Sequence, residues 1–203
     1  IIAGGGLDSM ENSPTTGGSD TIYGMGGDDT IIANGLLYGG AGNDTITTLN
    51  AWGSSGNNED TLDGGTGADI LTGGNGADTF ILRLGDGGSA IGDADTITDF
   101  TDGTDVLGLD NGLQYTDLTI AQGSGDNASD TVISSGSEYL AILQGISSSN
   151  INYYDFVSTA TGNQTLTGSS GDDVLLGASG IDTVNSGTGV DIIVTYGGDD
   201  AIT

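Results

Sequence analysis

Residues 64–80 read GGTGADILTGGNGADTF, a stretch in which glycines, an aspartate and a large apolar side chain return at the same offsets after nine residues. A short fixed period constrains the fold strongly, because it says that one structural unit is stacked on copies of itself. Asp60, Asp69 and Asp78 keep this spacing, and so do Asp173, Asp182, Asp191 and Asp200. Two residues after each acid stands an apolar residue: Leu62, Leu71 and Phe80, then Leu175, Val184, Ile193 and Ile202. The N-terminal acids Asp8, Asp20, Asp29 and Asp44 are less evenly spaced, yet Met10, Ile22, Ile31 and Ile46 follow them at the same offset.

A helix would space its apolar residues three and four apart, and a hairpin sheet would alternate them along each strand. One inward residue in nine fits a coil in which six residues turn and about three form a short strand, so that eighteen residues complete a circuit. The period therefore predicts an all-β chain built as a right-handed parallel β-roll. The glycines suit a turn whose backbone angles a β-carbon would forbid. Carbonyls drawn inward by such a turn make a negative pocket of hard donors, and Ca²⁺ takes six to eight oxygens at flexible angles. The acid adds a carboxylate, so ions are expected between Asp60 and Asp78, Asp173 and Asp191, and Asp182 and Asp200.

In the first array the extra residues fall near ENSP, ANGLLY and LNAWGSSG, which read as loops extruded from a coil edge, with Trp52 packing the last of them. ANGLLY has a second reading: a short coil whose Asn34–Gly35 turn binds nothing and whose inward residue is Leu37. That choice swaps the edge of every upstream acid, and the sequence leaves it open.

Composition narrows the chemistry. The chain has 203 residues, 29 acids, one base (Arg83), no histidine, no cysteine and a formal charge of -28. Nucleic acid and anionic membrane surfaces need lysine or arginine on the protein and are excluded as partners. No apolar run approaches a membrane span. Leu, Ile, Val and Phe make up fewer than one residue in four, close to the range of disordered chains, so folding needs a partner, and without cysteine that partner is a hard cation. With neither a histidine base nor a cysteine nucleophile, and no G-x-S-x-G elbow, no catalysis is expected. The glycine-rich stretches lack the lysine of a phosphate loop.

GGTGADILT, GGNGADTFI and GGAGNDTIT resemble the G-G-x-G-x-D-x-U-x nonapeptide of the RTX (repeats-in-toxin) family, whose repeats form calcium-binding β-rolls. The resemblance implies several Ca²⁺ ions, each held by turn carbonyls and paired aspartates. Carried onto this chain, it implies Gly56 and Asn58 opposite Gly73 and Asn75, with Gly65 and Gly67 serving the same role before Asp69. It likewise implies Gly171 facing Thr188 and Gly180 facing Gly197. In the second array SGTGVD and TYGGDD lack the opening glycines and GASGID keeps one of the pair, so weaker ion binding is expected there.

The motif fades after residue 81. GDADTITDF and GTDVL resemble the segment that caps RTX arrays, which implies Asp95, Asp99 and Asp105 as further ligands. DLTIAQ, DTVISS and EYLAILQG read as a small antiparallel meander, and NINYYDFV as a closing turn or short helix. A fresh array begins near Gly168. The expected organisation is thus a β-roll over 1–81, a capping segment over 82–164 and a second β-roll over 165–203. The RTX resemblance implies an extracellular or cell-surface protein exported by type I secretion. The function expected is a calcium-dependent structural module of a surface layer, sheath, filament or adhesin, partnered with other copies or domains of the same protein. The alternative is the folding and secretion appendage of an extracellular enzyme or toxin.

Overall fold

The computed structural model describes residues 6–11, 20–49 and 59–203. The first array supplies strands β1 (Ser9–Glu11), β2 (Asp20–Gly26), β3 (Thr30–Ile32), β4 (Gly35–Ala41), β5 (Thr45–Thr47), β6 (Thr61–Thr66), β7 (Ile70–Thr72) and β8 (Thr79–Leu82). The middle supplies β9 (Asp95–Ile97), β10 (Val106–Leu109), β11 (Leu118–Gln122), β12 (Thr131–Ser135), β13 (Glu138–Leu143) and β14 (Phe156–Ser158). The last array supplies β15 (Thr165–Thr167), β16 (Val174–Leu176), β17 (Thr183–Asn185), β18 (Ile192–Val194) and β19 (Ala201–Ile202).

Successive strands alternate between two sheets, as one inward residue in nine requires. One sheet runs β1-β3-β5-β7-β9-β13-β12-β11 and the other β14-β10-β8-β6-β4-β2. Every pairing within the roll is parallel. Ile31, Ile46, Leu71 and Ile97 from the first sheet meet Ile22, Leu37, Leu62, Phe80 and Leu107 from the second, all fully buried. The fold is a parallel β-roll. The last array repeats the plan in small sheets, β15-β17-β19 and β16-β18, around Leu166, Leu175 and Val184. Its Leu176 joins the main core, where β16 packs against the Tyr115–Asp117 turn of the middle segment. Ile202, expected to point inward, stays 56% exposed on the last strand of its sheet.

The ANGLLY question is resolved in favour of the short coil. Leu36–Leu37 pairs with Thr21–Ile22 on one side and Thr61–Leu62 on the other, so β4 is a full rung and the stretch is no extruded loop. The cause is Leu37: looped out, it would forfeit the burial it has between Ile22 and Leu62. The inserted stretches around residues 12–19 and 50–58, including Trp52, Gly56 and Asn58, lie outside the described residues.

The sheets do not stop at residue 81 where the glycine motif does. β9 and β10 stack directly on β7 and β8, because Ile97 and Leu107 keep the inward position. The meander β11-β12-β13 is antiparallel as expected and joins the roll through a parallel β13–β9 pairing. NINYYDFV forms a single 3₁₀ turn, Tyr153–Asp155, and then β14, a further parallel strand on β10 that the sequence reading missed. Arg83, the sole base, spans the outer face of the second sheet. It is bidentate to Asp63 on β6 and donates Nε to Asp110 just beyond β10, 3.2 Å away.

Candidate metal centre

The two edges of the roll carry the aspartates in two columns. On one edge the backbone N–H of each acid donates to Oδ1 of the acid one coil further on: Asp8 to Asp29 (2.8 Å), Asp29 to Asp44 (2.7 Å), Asp44 to Asp69 (2.6 Å) and Asp69 to Asp95 (3.0 Å). On the opposite edge Asp60 donates to Asp78 (2.9 Å) and Asp78 to Asp105 (3.0 Å). In the last array Asp173 donates to Asp191 (3.1 Å) and Asp182 to Asp200 (2.8 Å). The three pairs expected from the eighteen-residue spacing are thus adjacent. The ladder also tolerates sequence separations of 15, 25 and 26, since only the strand register has to be kept.

Gly35 occupies the rung where an acid would stand between Asp20 and Asp60. Its N–H donates to Asp60 Oδ1 at 2.6 Å, whereas the N–H of Asp20 finds the Asn34 carbonyl at 2.9 Å. No acid fits here: φ is +119°, and a β-carbon on Gly35 would lie 2.2 Å from the Asp20 carbonyl oxygen.

The hydrogen-bond ladder consumes one oxygen of each carboxylate and leaves the other. Oδ2 of Asp29, Asp44, Asp60, Asp69 and Asp78 is buried without a hydrogen-bond partner. Such an atom costs about 1–3 kcal/mol, and more when it is charged. Those of Asp29, Asp44, Asp69 and Asp78 face the first glycine of their own turns. A β-carbon on Gly24, Gly39, Gly64 or Gly73 would stand 2.6, 2.2, 2.2 or 2.7 Å from Oδ2 of Asp29, Asp44, Asp69 or Asp78. The same positions on Gly24 and Gly39 lie 2.4 and 2.6 Å from the Gly39 and Gly64 carbonyl oxygens of the adjoining turns. In these two turns carboxylate and carbonyl oxygens therefore converge on one small space, which glycine keeps open.

Burial and the neighbouring carboxylates push Asp44, Asp69 and Asp78 up, and burial pushes Asp60 up. Asp78 is raised to about 7, first by desolvation and then by the charges of Asp105, Asp60 and Asp99. Asp69 is raised by burial and by the charge of Asp44, and Asp95 by burial and by the charge of Asp69. A divalent cation would reverse both effects. The donors are hard oxygens throughout, which suits Ca²⁺. Among the described residues no three acidic side chains converge, so carbonyls must complete any coordination shell.

The remaining expected ligands take varied places. Gly65 and Gly67 adopt φ of +88° and +136°, and a β-carbon on either would lie 2.0 or 1.9 Å from the Gly40 or Gly42 carbonyl oxygen of the adjoining turn. The Gly73 carbonyl accepts the Thr48 hydroxyl, and Asn75 lies in the same turn. Asp99 accepts the N–H groups of Gly73 (2.9 Å) and Gly74 (2.7 Å), closing that turn from the next coil. The expected facing pairs of the last array are staggered by one residue. Gly171 and Gly180 stack on Gly189 and Gly198, while Thr188 donates to the Ser169 carbonyl and Gly197 lies beside Ser179.

A column of glycine-bounded oxygen sites along the edges of a parallel roll defines a class, the calcium-binding β-rolls. The RTX calcium-binding nonapeptide repeat model matches residues 15–35, 36–50, 52–88, 158–193 and 176–203, more than half the chain, and the protein belongs to that family. No curated protein sequence matches it. Among solved structures the chain is similar to the AlgE6R3 subunit of the Azotobacter vinelandii mannuronan C5-epimerase, at 24% identity and a TM-score of 0.43, over 77% of this chain and 81% of that one. It is also similar to the AlgE6R2 subunit of the same enzyme, at 24% identity and a TM-score of 0.39, over 78% and 91%.

Proposed function

We propose that the protein is a calcium-dependent folding module of an extracellular structural assembly such as a surface layer, sheath, filament or adhesin. The observation that carries the calcium step is the set of buried, unpartnered Oδ2 atoms on Asp29, Asp44, Asp60, Asp69 and Asp78. Asp8, Asp20, Asp95 and Asp105 would extend the columns. Bound Ca²⁺ supplies the positive charge that lets these buried carboxylates remain ionised side by side. The protein's own part is to hold each pair one strand spacing apart and to present turn carbonyls beside them.

The magnitudes make calcium a switch. Extracellular-type sites with Kd of about 10⁻⁴ to 10⁻³ M in millimolar calcium each contribute about 1 kcal/mol. Summed over the eight aspartate steps of the ladder, this is of the order of a domain's whole stability, ~5 to 15 kcal/mol. At cytosolic calcium a chain of charge -28 repels itself and stays exportable; outside the cell, binding and folding coincide. The structural role, with other copies or domains of the same protein as partners, draws support from two arrays flanking a meander. Electron microscopy of the intact polypeptide with and without chelator tests it. Regular assemblies that dissolve in chelator are expected, whereas dispersed monomers in both conditions refute the structural role.

A further inference from the structure

Seven of the turns fall into two groups according to what Oδ2 of their acid is doing; the turn ending at Asp191 has the positive φ at Gly187 (85°) but not the buried, unpartnered Oδ2. In the turns ending at Asp29, Asp44, Asp69 and Asp78, the fourth residue before the acid has positive φ: Met25 (77°), Gly40 (114°), Gly65 (88°) and Gly74 (76°). In all four turns Oδ2 is buried and unpartnered. In the turns ending at Asp105, Asp173 and Asp182 the equivalent residues are Thr101, Ser169 and Ala178, none with positive φ. There the N–H of that residue donates to Oδ2 of its own acid, at 2.7, 2.6 and 2.8 Å. Ser169 adds its hydroxyl, 3.1 Å from the same oxygen.

The difference follows from backbone chemistry. A positive φ at this position turns the N–H away from the acid and carries an energetic cost for any residue with a β-carbon. Glycine accepts it freely, while Met25 shows that the turn imposes the angle even without glycine. Thr, Ser and Ala in the ordinary region leave the N–H aimed back at the carboxylate, and the turn closes on itself.

We infer that the residue four places before each acid sets how strongly its turn depends on calcium, so that the chain holds two grades of site. Glycine-type turns are incomplete without an ion and bind first. Self-closed turns at Asp105, Asp173 and Asp182 are satisfied beforehand, and an ion must displace an N–H from Oδ2 before it can take that oxygen. A hydrogen bond to a charged acceptor weighs enough to weaken such a site roughly tenfold. The last array, with two of the three self-closed turns, is then the low-affinity end of the protein. This rests on the calcium-dependent folding proposed above.

The test is a calcium titration of the full chain followed by backbone amide NMR. The amides of Ile46, Leu71 and Phe80 report the first array, and those of Leu175, Val184 and Ile193 the last. The expected result is a midpoint roughly tenfold higher in calcium for the last array. Ala178→Gly and Ser169→Gly should move that midpoint down towards the first array, and since glycine tolerates either backbone region neither should block folding. A single shared midpoint, unmoved by both substitutions, overturns the inference while leaving calcium-dependent folding intact. Spectra indifferent to calcium overturn both.

Discussion

Asp69 is an interior member of the longest column, and its two oxygens do separable things. Oδ1 accepts the Asp44 N–H at 2.6 Å, whereas Oδ2 is buried without a partner. Asp69→Asn keeps an oxygen for the N–H and removes the charge from two adjoining ion positions, those shared with Asp44 and Asp95. At about 1 kcal/mol per site the loss is about 2 kcal/mol. Spread over the six aspartate steps that remain, it raises the calcium midpoint for folding about twofold. Asp69→Ala also orphans the buried Asp44 N–H, at a further ~1–3 kcal/mol, and should shift the midpoint more than Asp69→Asn. Far-ultraviolet circular dichroism against free calcium measures both, with the exposed Asp126→Asn as the neutral control. Equal midpoints for wild type and both Asp69 variants would refute the ladder as the calcium site.

Three further outcomes follow from the same geometry. Gly64→Ala places a β-carbon 2.2 Å from Asp69 Oδ2 and should raise the calcium midpoint, while Gly92→Ala, with no atom within 4 Å of its β-carbon, should not. Leu37→Ala should cost about 2–5 kcal/mol in thermal melts of the calcium-loaded chain; an unchanged melting temperature would remove β4 from the core. Protons should partly replace calcium. Asp78 is raised in the folded chain from 3.8 to about 7, so its contribution to ion-free stability is fully present below 3.8 and lost as pH rises through about 7. In chelator, strand signal should therefore be greater at pH 5 than at pH 8, and an increase with pH would contradict the burial of these acids.

The roll itself was legible because its information is periodic: the aspartate marks the turn, and the residue two places on marks the core. Ile97 and Leu107 obey that rule without any glycine pair, which is why the sheets run past the point where the motif fades. Leu37 was harder, because its coil has shed both the acid and the six-residue turn and only its burial reveals it. β14 was missed since Phe156 follows no turn acid and gains its place by packing under Leu107. The two grades of turn were also hidden. Ser169 and Ala178 appear in the sequence as mere departures from glycine, and only the backbone shows that they redirect an N–H onto Oδ2 of Asp173 and Asp182.

The claim that the roll is folded by calcium is tested most directly by circular dichroism of the full chain as free calcium is raised from chelated to millimolar levels. The account predicts a disordered spectrum in chelator and a steep rise of β-type signal with calcium, reversed when chelator is restored. A β-type spectrum of full amplitude in chelator at pH 8 would contradict it.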